Sequence, residues 1–243
     1  MKTLPFIKMH GLGNDYVYID AFNSDTAAIL ADTDLSDLAR RMSNRHFGVG
    51  SDGLVLIMPS HCADVRMRMF NADGSEAEMC GNASRCIAKY AYEQGLCGKT
   101  MTLETLAGTK HLTLTTNAQN RVTEVTVAMG QTMGNPHKVF IIEEPVDTID
   151  IHEIKGTNAE WVNVLNRNEI AMRVWERGTG ETMACGTGAC ASAVAAMDQG
   201  LTDNCVTVHL RGGDLTVRRD ENGIIYLTGP AAEVFRGTYI LED

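Results

Sequence analysis

The chain has 243 residues, of which 44% are hydrophobic and 21% are charged, a composition typical of a globular protein with one large or two ordinary domains. No segment approaches the roughly 18 consecutive apolar residues of a membrane span, and residues 1–20 lack the pattern of an export signal, so we expect a cytoplasmic protein. The formal net charge of −10 repels nucleic-acid phosphates and anionic lipids, which argues against both as partners.

The predicted elements are Thr-, Val- and Leu-rich strands and two helices. In chain order, strands are predicted at 16–19, 54–58, 65–70, 100–106, 121–128, 139–142, 170–175, 206–210 and 224–227. One helix follows Cys80 and ends before Gly95, and the other follows Cys185 and ends before Gly200. A polar run at 117–120 separates two predicted strands and indicates the domain boundary.

The two cysteine-bearing segments belong to an internal repeat. MCGNASRC at 79–86 resembles ACGTGAC at 184–190, and EQGL at 93–96 resembles DQGL at 198–201, with the same displacement of 105 positions. The repeat predicts an α+β fold of two similar, pseudo-symmetric domains, each a mainly antiparallel sheet or barrel around a long helix. We expect residues 1–118 to carry Cys80 and residues 119–232 to carry Cys185, while a tail at about 233–243 can pack back on the first domain.

Cysteine usage indicates reduced thiols. The seven cysteines are an odd number and include no C-x-x-C pair, which argues against a disulfide framework. The spacings 80/86 and 185/190 do not fit those of zinc ligands, so we expect no metal site.

A cysteine at the start of a helix has a setting that favours chemistry. The helix N-terminus stabilises a thiolate by up to about 2 kcal/mol, enough to bring the pKa of a thiol close to 7. Two such thiols, Cys80 and Cys185, suit the removal of a proton from one face of a carbon and its return to the other face. The alternative is a pair of buried structural cysteines in a duplicated core, the interpretation we favour for Cys86 and Cys190.

Ordered motifs extend along nearly the whole chain. They are KMHGLGND at 8–15, FNADGS at 70–75, MCGN at 79–82, MGNPH at 133–137, TN at 157–158, ERGTGET at 176–182, ACGTGAC at 184–190, GGDL at 212–215 and TGPA at 228–231. The set resembles the diaminopimelate epimerase family, whose pyridoxal-independent enzymes interconvert LL- and meso-2,6-diaminopimelate for lysine and peptidoglycan biosynthesis.

The resemblance implies a cofactor-independent epimerase in which Cys80 and Cys185 form the acid/base pair, with Cys80 as the base toward the LL isomer. It implies that the following residues bind the substrate: Asn14, Asn71, Gly81, Asn82, Asn135, Asn158, Glu176, Arg177, Gly186 and Thr187. Among these, Arg177 would pair with the distal carboxylate. The helix starts after the two cysteines would bind the reacting carboxylate. His137 and Glu176 would help to move the protons of the cysteines, and the family also implies a homodimer.

Two segments are shorter than the family pattern, one before Asn135 and one between His137 and Thr157. Both map to loops rather than to the motifs. The shortening therefore affects the outer wall of the expected substrate pocket more than the expected fold.

Four rival functions are less consistent with the sequence. A racemase of the same fold that acts on proline or histidine would not need Glu176 and Arg177, which suit a substrate with a second charged end. A binding protein that has kept the fold would not need both thiols. GVGSDG at 48–53 precedes a strand instead of opening a helix, so a dinucleotide site is not expected, and none of the seven lysines has the setting of a Schiff base.

Overall fold

The computed structural model describes residues 2–131 and 136–241. The α-helices within these ranges are α1 (Ser24–Ala31), α2 (Leu35–Ser43), α3 (Gly81–Glu93) and α4 (Gly186–Asp198). The strands are β1 (Lys2–Gly11), β2 (Asn14–Asp20), β3 (Gly53–Met58), β4 (Val65–Asn71), β5 (Glu76–Ala77), β6 (Thr100–Glu104), β7 (Lys110–Thr116), β8 (Val122–Gly130), β9 (His137–Ile142), β10 (Asn158–Asn166), β11 (Glu169–Glu176), β12 (Gly180–Glu181), β13 (Cys205–Leu210), β14 (Gly213–Arg219), β15 (Ile225–Gly229) and β16 (Ala232–Leu241). Each predicted strand and both predicted helices overlap one of these elements.

The chain divides into two compact units. Unit 1 comprises residues 1–11, 15–125 and 231–243, and unit 2 comprises residues 12–14 and 126–230. The polar run at 117–120 is the turn between β7 and β8, where the Asn117 N–H donates to the Arg121 carbonyl at 2.9 Å. Because that turn joins neighbouring strands of one sheet, the division falls later than the expected boundary at residue 118, within β8.

Unit 1 is built on a sheet with strand order β16-β1-β2-β3-β4-β6-β7-β8, to which β5 adds beside β4. The pairs β2/β3 and β4/β6 are parallel, and β1/β16, β3/β4 and β6/β7 are antiparallel. The C-terminal strand β16 pairs with β1 along its length, starting with Leu241 opposite Lys2. Strand β3 is buried throughout Gly53–Ile57, and α2 packs on it with the buried side chains of Leu38 and Met42.

Unit 2 is built on a sheet with strand order β8-β15-β14-β13-β11-β10-β9, to which β12 adds beside β11. The pairs β9/β10 and β11/β13 are parallel, whereas β10/β11, β13/β14 and β14/β15 are antiparallel. In the parallel pair β9/β10, His137 lies opposite Asn158. Two residues that are far apart in sequence therefore enter the sheet side by side.

Each unit contains a long helix that is buried on most of its surface. Helix α3 contacts β1, β4 and β7, and α4 contacts β9, β10, β11, β13, β14 and β15. The α4 sequence, GTGACASAVAAMD, has mostly small side chains, which allows strands to approach it closely on several sides. The two 13-residue helices start and end with the displacement of 105 positions that the repeat predicts.

The two helices also end in the same way. The Leu96 N–H donates to the Ala91 carbonyl at 2.8 Å, and the Leu201 N–H donates to the Ala196 carbonyl at 3.0 Å. Gly95 and Gly200 supply the positive φ that this ending requires. These features confirm the predicted α+β fold of two similar units, each with a mainly antiparallel sheet and a long helix.

Candidate active site

In unit 1, Cys80 is the residue from which α3 starts. Its backbone is extended, with φ −137° and ψ 124°, and its carbonyl accepts the first intrahelical bond from the Ser84 N–H at 2.9 Å. The next two residues, Gly81 and Asn82, form the buried first turn of the helix. This places Cys80 at the end of α3 that carries a partial positive charge.

A buried arginine supports this helix start. The side chain of Arg85 is completely buried, and its guanidinium donates to the Oδ1 atom of Asn82 at 2.8 Å and to the Gly81 carbonyl at 3.4 Å. A Cβ on Gly11 would lie 2.9 Å from the Nη2 atom of Arg85, so the glycine leaves room for the guanidinium. The sequence motif includes Arg85, but only the structure shows that it fixes which way the Asn82 amide points.

Asn71 lies at the end of β4, in a tight turn. Its side-chain amide donates to the Ser75 hydroxyl at 2.9 Å, and that hydroxyl donates to the Asp73 carboxylate at 2.6 Å. Strand β4 packs on α3, so the turn follows a strand that supports the helix of Cys80.

In unit 2, Cys185 is the residue from which α4 starts. Its backbone is extended, with φ −122° and ψ 113°, and its side chain is almost completely buried. The Gly188 N–H donates to its Sγ atom at 3.4 Å, and the Thr187 hydroxyl lies 3.5 Å from the same sulfur. Gly186 and Thr187 form the first turn of the helix, as Gly81 and Asn82 do in unit 1.

The protonation of Cys185 differs from the expectation for a helix start. Burial raises the pKa of this thiol well above its ordinary value, and the charge of Glu176 acts in the same direction. Hydrogen bonds from Thr187 and Gly188 lower the pKa, but by less. The expectation that the helix start lowers this pKa toward 7 is therefore wrong for Cys185, because the cost of a buried charge is larger than the stabilisation at a helix terminus.

Three predicted substrate ligands lie together at the ends of β10 and β11. Asn158 starts β10, and its Oδ1 atom accepts the backbone N–H of Arg177 at 2.9 Å. Glu176 ends β11, and its Oε1 atom accepts the Thr182 hydroxyl at 2.5 Å. The side chain of Arg177 is exposed. The amide of Asn158 therefore fixes the backbone turn from which the arginine projects.

His137 belongs to a buried pair that the sequence pattern does not identify. Its Nδ1 atom lies 2.7 Å from the Oε1 atom of Glu160, and the two side chains are 4% and 0% exposed. Glu160 is the one charged residue in the run AEWV of β10, and a charge inside a buried strand is the signal that could have pointed to it.

The remaining predicted ligands are Asn14 and Asn135. Asn14 is the first residue of β2, is half-buried and groups with unit 2. Asn135 lies outside the described residues. Unit 1 thus brings together Cys80, Gly81 and Asn82, and unit 2 brings together Cys185, Gly186, Thr187 and the charge of Glu176.

Two kinds of feature are absent from the described part of the chain. Within residues 2–131 and 136–241, no three His, Cys, Asp or Glu side chains are arranged to hold a metal ion. In the same ranges, no helix combines the length and hydropathy needed to cross a membrane.

Comparison with known proteins identifies one family. The family model described as diaminopimelate epimerase matches residues 6–133 and 131–234. The chain is 43% identical over 285 aligned positions to the diaminopimelate epimerase of Acetivibrio thermocellus, covering 98% of this chain and 99% of that protein. It is 44% identical over 283 positions to the diaminopimelate epimerase of Moorella thermoacetica, covering 98% and 99%. Both alignments are longer than the 243 residues here, so the relatives contain residues that this chain lacks.

The fold has also been observed in solved structures. A predicted epimerase from Pseudomonas aeruginosa superimposes with a TM-score of 0.74 at 13% identity, covering 98% of this chain and 100% of that one. At this identity the likeness shows the fold alone.

Proposed function

This chain belongs to the diaminopimelate epimerase family, and on that basis we propose that it interconverts LL- and meso-2,6-diaminopimelate with Cys80 and Cys185 as its acid/base pair. One observation carries the assignment of the two cysteines. Each is the residue from which a 13-residue helix starts, at equivalent positions of the internal repeat.

The reaction exchanges protons without a redox change. The thiolate of one cysteine removes the α-proton, which breaks a C–H bond and forms an S–H bond. The thiol of the other cysteine protonates the opposite face, which breaks its S–H bond and forms the new C–H bond. The carbon is inverted, and the two sulfurs end with exchanged protonation states.

The protonation state of Cys185 supports an assignment of which cysteine donates a proton and which accepts one. Burial and the charge of Glu176 raise the pKa of its thiol, so Cys185 is present as the thiol near neutral pH. A thiol is the proton donor in the scheme. Cys80 is then the base of the pair, and its assignment to the LL isomer comes from the family resemblance alone.

Removal of an α-proton is difficult because negative charge develops on the substrate carboxylate. The first turns of α3 and α4 direct backbone N–H groups away from the helix, and such groups stabilise a developing oxyanion. We assign this role to Gly81 and Asn82 in one unit and to Gly186 and Thr187 in the other.

The distal end of the substrate carries both an amine and a carboxylate. Arg177 is exposed beside Asn158 and can pair with the carboxylate through two hydrogen bonds. The carboxylate of Glu176 and the amides of Asn14, Asn71, Asn135 and Asn158 suit the amine. A racemase of proline or histidine would leave this charged set without a partner, which disfavours that alternative.

The proposed function also implies a biosynthetic pathway, a cellular compartment and an oligomeric state. The reaction would serve lysine and peptidoglycan biosynthesis in the cytoplasm, and we propose that the protein acts as a homodimer without a cofactor. Sedimentation of the purified protein measures the oligomeric state, and a monomer at working concentration would rule out the dimer.

Incubation with LL-diaminopimelate in deuterated water, with no added cofactor, tests the function. The expected product is the meso isomer with one deuteron at the inverted carbon. Proline and histidine, offered under the same conditions, should not be racemised. Racemisation of either one, with diaminopimelate left unchanged, would establish the alternative.

Variants test the two cysteines. Cys80→Ser and Cys185→Ser should each abolish epimerisation, because the hydroxyl of serine is far less acidic than a thiol. Cys62→Ser and Cys205→Ser change exposed cysteines in the same two units and should leave the rate unchanged. Near-normal epimerisation by both of the first two variants would refute the assignment.

A further inference from the structure

The buried pair of His137 and Glu160 is held by two neighbouring strands. Strands β9 and β10 run parallel, with His137 opposite Asn158 and Glu160 two residues further along β10. Residues two apart on a strand face the same side of the sheet. The 2.7 Å contact between the Nδ1 atom of His137 and the Oε1 atom of Glu160 is therefore a consequence of the strand register.

The carboxylate of Glu160 lies against the first turn of α4. A Cβ on Gly188 would lie 2.8 Å from its Oε1 atom, too close for a real side chain, so the glycine makes room for the carboxylate. The helix start has a partial positive charge, which stabilises a carboxylate buried beside it. Gly188 is also the residue whose N–H donates to the sulfur of Cys185.

Each side chain of the pair has one buried polar atom that takes no part in the contact between them. Among the described residues, neither the Nε2 atom of His137 nor the Oε2 atom of Glu160 has a hydrogen-bond partner. Buried polar atoms are nearly always paired because an unpaired one is costly. A histidine held through Nδ1, with Nε2 unsatisfied in a buried setting, has the arrangement of a group that exchanges a proton.

We propose that Glu160 is a positioning residue that accepts the Nδ1–H of His137 and so fixes the tautomer in which Nε2 carries the lone pair. Gly188 is required because its missing side chain admits the carboxylate. His137 can then take a proton at Nε2 from a bound group, forming one N–H bond as one S–H or O–H bond breaks, and can return it in the reverse step. The second part of this inference rests on the proposed function, but the tautomer does not.

The tautomer is measured in the resting protein by nitrogen-15 NMR of its histidine side chains. His137 should show a protonated Nδ1 and an unprotonated Nε2. The chain has seven histidines, and single substitution of the other six assigns His137 by elimination, even if a His137 variant does not fold. A protonated Nε2 on His137 in the unaltered protein would overturn the proposal without any variant of the pair.

Two substitutions on different elements should have the same effect on the tautomer. Glu160→Gln removes the charge and keeps the shape, and Gly188→Ala displaces the carboxylate. Each should shift His137 toward a mixture of tautomers. The pair His209 and Asp214 offers a matched control because its Nδ1 to Oδ1 contact is 2.8 Å but is exposed. Asp214→Asn should leave the signals of His137 and the activity unchanged.

Measurements of kcat and KM distinguish a positioning role of Glu160 from a role in the stability of the fold. Glu160→Gln should lower kcat about 10- to 100-fold, the size of the effect known for partners that orient metal-binding histidines, with KM changed less than about twofold. Glu160→Asp keeps the charge and should recover part of the loss. An unchanged kcat in Glu160→Gln, while Cys185→Ser is inactive, would overturn the inference and leave the proposed function standing. A protein that epimerises nothing would instead refute the proposed function, and the NMR result would still decide the tautomer.

Discussion

The backbone N–H of Gly188 donates to the Sγ atom of Cys185 at 3.4 Å, so the sulfur caps the helix that it precedes. Cys80 has the equivalent position in α3, but its side chain makes no capping hydrogen bond. Cys185 is also almost completely buried, whereas Cys80 is half-buried. The two halves of the repeat therefore hold equivalent sulfurs in different environments, which suits a pair in which one is the acid and the other the base.

The raised pKa of Cys185 predicts how its alkylation by iodoacetamide depends on pH. Because the thiolate is the nucleophile, the midpoint of the pH profile should lie above 9.0, the ordinary pKa of a thiol. Glu176→Gln removes a charge that raises this pKa, so it should move the midpoint to lower pH. Peptide mass spectrometry measures each cysteine separately between about pH 6 and about pH 11.

Glu144→Gln is the matched control for that shift, since it removes the same charge at an exposed position of unit 2. It should not move the Cys185 midpoint. A Cys185 midpoint at or below 9.0 would contradict the effect of burial.

Oxidation should inactivate the enzyme reversibly if both sulfurs act on one carbon. Diamide removes two electrons and two protons from a pair of thiols as the S–S bond forms. A Cys80–Cys185 disulfide, identified by mass spectrometry, should abolish epimerisation, and dithiothreitol should restore it. Full activity of protein with this disulfide verified would argue decisively against a shared reaction centre.

Arg85→Met should destabilise unit 1 and weaken substrate binding. The guanidinium is completely buried and donates to Asn82, so its loss leaves a buried amide oxygen with one donor fewer. Loss of a buried charged hydrogen bond costs about 3 kcal/mol of the free energy of unfolding, measurable by urea denaturation. KM should rise because the orientation of Asn82 is lost.

Arg121→Met supplies the comparison for Arg85, since Arg121 is an exposed arginine of the same unit. Its free energy of unfolding should change by less than about 0.5 kcal/mol. Equal stability of the two variants would show that the buried guanidinium does not support the helix start.

Buried Cys86 predicts a loss of stability in alkali. Burial raises the pKa of its thiol from 9.0 to about 11, so the folded state binds this proton more tightly than the unfolded state. The stabilisation is complete below about pH 9 and is lost as the pH rises toward 11. Two pKa units correspond to about 3 kcal/mol of the free energy of unfolding.

Urea denaturation at several pH values between about 8 and 11 measures this loss. The decline should be shallower in Cys86→Ala than in the unaltered protein, whatever the stability of the variant at pH 8. Cys62→Ala changes an exposed thiol of the same unit and should keep the original slope. Parallel slopes for Cys86→Ala and the unaltered protein would contradict the prediction.

Elements with a strong local pattern could be predicted from the sequence, and elements defined by distant partners could not. Helices α3 and α4 were identified because their glycine endings and their repeat are local features. Strands β1 and β16 were not identified, although each has ten residues. They pair with each other from opposite ends of the chain, and no local sequence pattern indicates so distant a partner.

In the candidate site, too, local features could be predicted from the sequence, whereas features that depend on distant residues could not. The sequence by itself determined that Cys80 and Cys185 start equivalent helices, because helix starts and ends depend on residues within a few positions. Only the tertiary structure decided that Cys185 is buried beside acidic groups and that Glu160 holds His137. Desolvation and charge proximity depend on what packs around a group, and here the parallel pairing of β9 with β10 joins residues 23 positions apart.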